Sequence, residues 1–175
     1  MCTNQIPFVV RVLGLLANLA IVGSCSLWGE APEETSAGPM IEVGGGTVRS
    51  ASLGWSLRLP DGWSAKAITP TRTVLEHPAS GARLELMGLP GESAREHLVS
   101  VLGSITGEEV VDEPQAAKLG PYAGEAVTVE LRSRNVLGLA ASRDAFTLVA
   151  LCTAPLEVSV EEACTPALGN IVSDD

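Results

Sequence analysis

Basic residues are scarce in this chain. The sequence of 175 residues holds 11 Lys and Arg against 21 Asp and Glu, which gives a formal net charge of -10 at pH 7. Because phosphate binding depends on Lys and Arg, this balance argues against a nucleic-acid partner and against contact with anionic head groups. The excess of carboxylates is instead typical of a solvated surface.

Side chains that carry chemistry are also few. His77 and His97 are the only histidines, and neither has neighbours at the spacing that metal ligands need. No Gly-x-Ser-x-Gly motif occurs, and the triple glycine Gly44–Gly46 is not followed by the Lys-Ser or Lys-Thr of a phosphate-binding loop. We therefore predict that the protein is not an enzyme and needs no metal and no cofactor.

Long apolar stretches are limited to one run, from Val12 to Val22. As a helix these eleven residues would span about 16 Å, roughly half of the hydrocarbon core of a bilayer. This length is typical of the apolar part of a signal peptide rather than of a membrane-spanning helix.

The run ends in Val22-Gly23-Ser24-Cys25. In bacterial prelipoproteins a small residue before a Cys, with a branched aliphatic residue three positions before that Cys, marks leader cleavage and thiol lipidation. We predict a signal peptide over residues 1–24, cleavage between Ser24 and Cys25, and a palmitate-bearing membrane anchor at Cys25. The alternative is an ordinary signal peptide cut near Gly23 or Ser24, with Cys25 as a bystander.

The next residue, Ser26, bears on the destination. Retention at an inner membrane typically uses Asp at this position. The sequence therefore favours the periplasmic face of an outer membrane, or the cell surface in a host with a single membrane.

Residues 25–50 are rich in Glu, Pro, Ser and Gly. Such a composition buries too little apolar surface to offset the entropy lost on ordering, so we predict a flexible tether over residues 25–50 that includes the run Gly44–Gly46. Met40, Ile41 and Val43 could add a short strand. One folded domain would then occupy residues 51–175, a length that can bury a single core.

Two cysteines remain in that domain, Cys152 and Cys164. An even pair in an exported chain favours a disulfide, and the spacing is unlike a Cys-x-x-Cys redox or zinc motif. We predict that the bond clamps the last helix to a strand.

Hydrophobic patterning predicts an α+β fold. Alternating segments indicate an antiparallel sheet of about six strands, among which Ala145–Cys152 has apolar residues on both faces and is the best candidate for the middle strand. Glu92–Gly103 shows helical spacing, with Ala94, Leu98, Val101, Leu102 and Ile105 on one side. A C-terminal helix begins near Ser159 and carries an apolar stripe to Ile171, unless Pro166 instead starts a shorter helix capped by Thr165.

The segment Trp55-Ser56-Leu57-Arg58-Leu59-Pro60-Asp61-Gly62-Trp63 and the order of elements after it resemble the PsbP-like superfamily, which includes DcrB-type and LpqN-type bacterial lipoproteins. The resemblance covers about residues 51–173. It implies an antiparallel sheet with helices packed on it, used for binding or assembly and without a shared active site. Aromatic residues are sparser here, and nothing matches the metal or chloride positions of the photosynthetic members.

Two tryptophans bracket the turn in this segment. Trp55 and Trp63 could line the mouth of a site for an apolar ligand, or they could belong to the core.

The sequence thus predicts a lipid-anchored, non-enzymatic binding or assembly module of the cell envelope, whose partner is another envelope protein. One alternative is a carrier or sensor of a small apolar ligand held between helix and sheet. A second is an uncharacterised envelope hydrolase.

Overall fold

The structure is a computed structural model, and it describes residues 40–107 and 113–174. The predicted signal peptide, the cleavage position at Ser24 and Cys25, most of the tether and a strand expected at Glu109–Asp112 lie outside the described residues. The elements are β1 (Glu42–Gly44), β2 (Thr47–Ser50), β3 (Trp55–Arg58), β4 (Ser64–Thr69), β5 (Arg72–His77), β6 (Ala82–Pro90), α1 (Ala94–Thr106), β7 (Gln115–Leu119), β8 (Tyr122–Glu130), β9 (Arg134–Arg143), β10 (Phe146–Pro155), α2 (Val160–Leu168) and β11 (Ile171–Ser173).

A seven-stranded antiparallel sheet forms the centre of the domain, in the order β4-β5-β6-β10-β9-β8-β7. β10 is its middle strand, as the sequence predicts, because both of its faces are apolar. Leu148 and Ala150 are buried on one face, and Val149 and Leu151 are buried on the other. The two faces of this strand therefore belong to two separate hydrophobic cores.

Residues 42–50, predicted to be tether, form the hairpin of β1 and β2 instead. Gly45 and Gly46 both have positive φ, 58° and 74°, and a two-residue turn with positive φ at both positions matches the twist of paired strands. Ile41 and Val48 are buried beside this turn. The glycine run is thus a hairpin turn and not a linker, and the domain begins before residue 51.

Helix α1 packs on one face of the large sheet, over β8, β9 and β10. Ser93 caps its first turn by accepting a hydrogen bond from the Glu96 N–H at 3.3 Å, and Gly107 ends it in the left-handed conformation. Leu98 and Leu102 are buried as predicted, but Ile105 is 44% exposed. The last turn of the helix lies beside an open groove at the ends of β9 and β10, so Ile105 contributes to a surface rather than to the core.

The opposite face of the large sheet carries helix α2 and a four-stranded sheet in the order β1-β2-β3-β11. The predicted Ser159 cap is confirmed, since Ser159 Oγ accepts from the Glu162 N–H at 3.3 Å. Pro166 lies inside this helix rather than starting a shorter one; the helix persists because its first turns form ahead of the proline and its buried stripe packs on the sheet. Ile171, expected on the helix, belongs to β11, which pairs with β3.

The α+β class with two helices on antiparallel sheets is confirmed. The described residues hold eleven strands in two sheets rather than about six in one, because several short strands have too few residues to show an alternation. Neither helix in the described part of the chain is long and apolar enough to cross a bilayer.

Candidate functional site

Both tryptophans of the Trp55–Trp63 segment are core residues. Trp55 is fully buried and Trp63 is 9% exposed, and both belong to the hydrophobic cluster between the two sheets. The turn between them positions Trp63, whose backbone N–H donates to the Pro60 carbonyl at 3.1 Å. Of the two roles considered for these rings, ligand mouth or core, the structure places them in the second.

His77 lies against this turn. Its ring stacks on Trp63 with centroids 5.5 Å apart, and its Nδ1 shares a hydrogen bond with Ser80 Oγ at 2.8 Å. Ser80 is part of the tight turn between β5 and β6, where its Oγ also accepts from the Ala82 N–H at 3.3 Å. The serine hydroxyl therefore stabilises a hairpin turn, and the pair has the geometry of a structural contact.

The two histidines lie at opposite ends of β6. His77 pairs with Ala82 at the start of this strand, whereas the His97 ring packs against Gly91, just past its end. The strand separates them by about 26 Å at the rise of an extended chain. Within residues 40–107 and 113–174, no group of three or more His, Cys, Asp or Glu side chains is arranged to hold a metal. The fold therefore keeps the two histidines apart.

Cys152 and Cys164 lie at disulfide distance and are bonded in the structure, with Cα atoms 6.3 Å apart. Cys152 is in the central strand and Cys164 is in α2, and both side chains are completely buried. The bond ties a helix of nine residues to the middle of the large sheet.

A polar cluster around the Gly54 carbonyl joins the two sheets. This oxygen accepts from the Tyr122 hydroxyl at 2.6 Å, from the Asp174 N–H at 2.9 Å and from Arg143 Nη1 at 3.4 Å. Gly54 itself has φ of 62°, and a Cβ there would lie 2.5 Å from Arg143 Nη1. The position therefore requires glycine, and the cluster has a structural role.

On the face of the large sheet that carries α1, the strands β4, β5 and the first half of β6 are not covered by a helix. We call this surface the open face. The strand register places on it Ser64, Lys66, Arg72, Val74, Glu76, Arg83 and Glu85. Arg72 Nε contacts Glu85 Oε1 at 2.5 Å, and Arg83 Nη2 lies 3.7 Å from Glu85 Oε2. The negative charge of Glu85 is therefore offset by two arginine side chains that are themselves about half exposed.

Where the open face meets the last turn of α1 there is a groove of about 580 Å³, which we call the Ile105 groove. Leu151 and the exposed Ile105 give it an apolar part, and Arg83 and Arg134 contribute guanidinium groups. Arg134 Nη1 donates to Thr153 Oγ1 at 3.3 Å. The remaining lining residues are Glu76, His77, Pro78, Gly81, Ala82 and Glu85. This groove can hold an apolar group next to an anion.

A second groove of about 560 Å³ runs between α2 and the sheet. Leu137 and Leu139 lie at its floor, with Leu168 and Ile171 beside them and Lys118 and Glu161 at its edges. The floor leucines are 8% and 7% exposed, so little apolar surface is open to a ligand.

Sequence reasoning did not identify the residues of the Ile105 groove. The alternation in Arg72–His77 and Ala82–Pro90 marks charged residues on one face of each strand, but such a pattern is shared by any solvated strand. The missing information is which half of the sheet the helix covers, and that depends on tertiary packing.

No protein-family profile matches the chain, and no curated protein matches it in sequence. Two solved structures are similar to it. A protein from Bacteroides thetaiotaomicron VPI-5482 aligns with a TM-score of 0.50 and 10% identity over 78% of this chain, and the chain spans about half (49%) of that protein. Cyanobacterial PsbP (CyanoP) from Synechocystis sp. PCC 6803 aligns with a TM-score of 0.50 and 10% identity over 87% of this chain and 98% of CyanoP. At this identity the likeness concerns the fold, and the chain has a PsbP-like α+β fold.

Proposed function

We propose that the protein is a lipid-anchored, exported, non-enzymatic binding or assembly module of the cell envelope. The observation that carries the proposal is Cys25, which follows a small residue at the end of the apolar run. A PsbP-like fold supports an accessory role rather than a catalytic one. The described residues fit that role, because their polar clusters stabilise turns and join sheets.

The bond between Cys152 and Cys164 supports export. Disulfides form and persist in oxidising compartments outside the cytoplasm. An anchor at Cys25 would keep the domain at the membrane, because each buried methylene of an acyl chain adds about 0.8 kcal/mol of membrane affinity and a second chain makes the attachment stable. On this proposal the domain acts on envelope proteins near its membrane, at the outer membrane or on the cell surface.

The test compares Cys25→Ala with Cys2→Ala, a matched change of a second cysteine that lies within the leader. Cells are labelled with a palmitate analogue, and the protein is followed by acyl labelling and by detergent partitioning. We expect the wild type and Cys2→Ala to carry the label and to enter the detergent phase. Cys25→Ala should lose both properties. A labelled, membrane-bound Cys25→Ala protein would refute the anchor.

The groove along α2 supports a second candidate, a carrier of a small apolar ligand. Apolar floors between helix and sheet hold such ligands in other proteins, and here Leu137 and Leu139 form the floor of the groove. Mass spectrometry of the intact protein under native conditions tests this candidate. A bound molecule that is lost in Leu139→Glu would favour the carrier over the assembly module.

A further inference from the structure

The open face differs in charge from the rest of the domain. It carries Lys66, Arg72 and Arg83, and its border with α1 adds Arg134, against only two carboxylates, Glu76 and Glu85. The rest of the described residues hold six cations and twelve carboxylates. On a chain of net charge -10, this surface is therefore a local patch of positive charge.

Arginine side chains dominate this patch, and their donors are only partly used. Each guanidinium has five N–H donors and matches a carboxylate in two-point contact. Arg83 is 3.7 Å from Glu85, which Arg72 already binds at 2.5 Å, and the side chain of Arg83 is 47% exposed. Arg134 donates to the neutral hydroxyl of Thr153. Both guanidinium groups can donate hydrogen bonds to further carboxylates.

An apolar residue stands next to these cations. Ile105 is 44% exposed on the last turn of α1 although its spacing assigns it to the apolar side of the helix. It gives the Ile105 groove an exposed apolar side chain beside Arg83 and Arg134. The surface therefore matches a ligand with apolar groups on one side and carboxylates on the other.

The charge of the whole chain indicates the source of that ligand. A net charge of -10 opposes the approach of the domain to an anionic membrane surface. The acidic groups that pair with the basic patch are therefore more readily supplied by a protein than by a lipid head group.

We propose that the Ile105 groove and the open face bind an acidic amphipathic segment of a partner protein. The apolar side of the segment contacts Ile105, and its carboxylates pair with Arg83 and Arg134. This inference rests on the proposed binding function and specifies the chemistry of the partner. It does not depend on lipidation, so the acylation test and the binding test can fail separately.

The probe is a synthetic helical peptide with Leu on one side and Glu on the other, and its control has Lys in place of every Glu. Fluorescence anisotropy is measured with the full-length protein at about 50 mM and about 300 mM salt, because screening weakens exposed ion pairs. We expect the Glu peptide to bind, with affinity that falls several-fold at the higher salt. The Lys peptide should not bind.

Three double variants locate the binding. Arg83→Glu with Arg134→Glu should weaken the Glu peptide by about tenfold or more, since each lost contact becomes a repulsion. Arg49→Glu with Arg58→Glu changes two exposed arginines of the small sheet and should leave the affinity within about twofold. Arg83→Gln with Arg134→Gln should give an intermediate loss and, because both side chains are surface groups, an unchanged thermal midpoint.

Other occupants give distinct results, and each would overturn the proposal. Equal binding of the Glu and Lys peptides would show that charge is not recognised. Unchanged binding by the Arg83→Glu and Arg134→Glu variant would place the contact elsewhere. Binding to phosphatidylglycerol vesicles but not to the peptide would indicate a membrane surface. A dimer in light scattering that the double variant abolishes would indicate a second copy of this chain.

Discussion

The disulfide between Cys152 and Cys164 should contribute a large share of the stability of the domain. The cross-link closes a loop with a sequence separation of 12 residues. On the chain-entropy account, a loop of this size restricts the unfolded chain by about 3 kcal/mol. Both side chains are fully buried, so replacing them with alanine also removes two sulfur atoms from the core and leaves a small cavity. The loss of stability should therefore be at least that of the lost cross-link.

The perturbation is Cys152→Ala with Cys164→Ala, compared with the oxidised wild type and with the single variant Cys164→Ala. For a urea dependence of about 2 kcal/mol per molar, a loss of about 3 kcal/mol lowers the unfolding midpoint by about 1.5 M. The thermal midpoint should fall by about 10 °C. Because single and double variants remove the same cross-link, both should lose similar amounts.

The structure also indicates which part of the domain loses stability first. Helix α2 has nine residues, and an isolated helix of this length is not stable in water. Without the bond, amide hydrogen exchange should quicken first in α2 and only later in the central strand. A urea midpoint equal to that of the wild type, or reaction of Cys152 and Cys164 with maleimide before reduction, would refute the reasoning.

Two further substitutions test the turns and the joint between the sheets. Tyr122→Phe removes the hydroxyl that donates to the Gly54 carbonyl at 2.6 Å. Because other donors remain on this oxygen, the free energy of unfolding measured by urea titration should fall by only about 1 kcal/mol. An unchanged free energy of unfolding would contradict the role assigned to this hydroxyl. Gly62→Ala places a Cβ 2.7 Å from His77 Nε2 at a φ of 81°, which should cost about 1–3 kcal/mol. The matched change Gly44→Ala has open space around the new Cβ and should be neutral by the same titration; equal costs would show that neither strain nor contact matters at position 62.

The central strand was predictable because its residue pattern indicates its place in the sheet. Within Phe146–Pro155, residues 148–152 are apolar at consecutive positions, and only a strand covered on both faces buries such a run. The cap of α2 was equally visible, since Ser159 precedes a helical stripe by the spacing of a capping box. Strong local patterns of this kind depend little on the rest of the chain.

The first hairpin was not predictable from composition alone. Gly45 and Gly46 suit a hairpin turn and a linker equally well, and the flanking strands are only three and four residues long. What distinguishes the two is the burial of Ile41 and Val48 against the rest of the core. Such contacts come from the tertiary fold, so local sequence does not contain them.

The candidate site was beyond sequence reasoning for a related reason. Ile105 has the spacing of a core residue, and Arg83 and Arg134 have the appearance of ordinary surface charges. They come together because α1 covers β8, β9 and β10 and leaves β4 and β5 open. Helix placement on a broad sheet is decided by packing, and it determined which residues became a surface.

The pairing of β3 with β11 has a consequence for the order in which the molecule can assemble. β3 is near the start of the domain, whereas β11 follows all the other described elements in the sequence, and the Asp174 N–H completes the contact at Gly54. The small sheet therefore stays incomplete until β11 has been synthesised. For the export proposed above this delay is an advantage, because translocation requires an extended chain and a completed fold would block it.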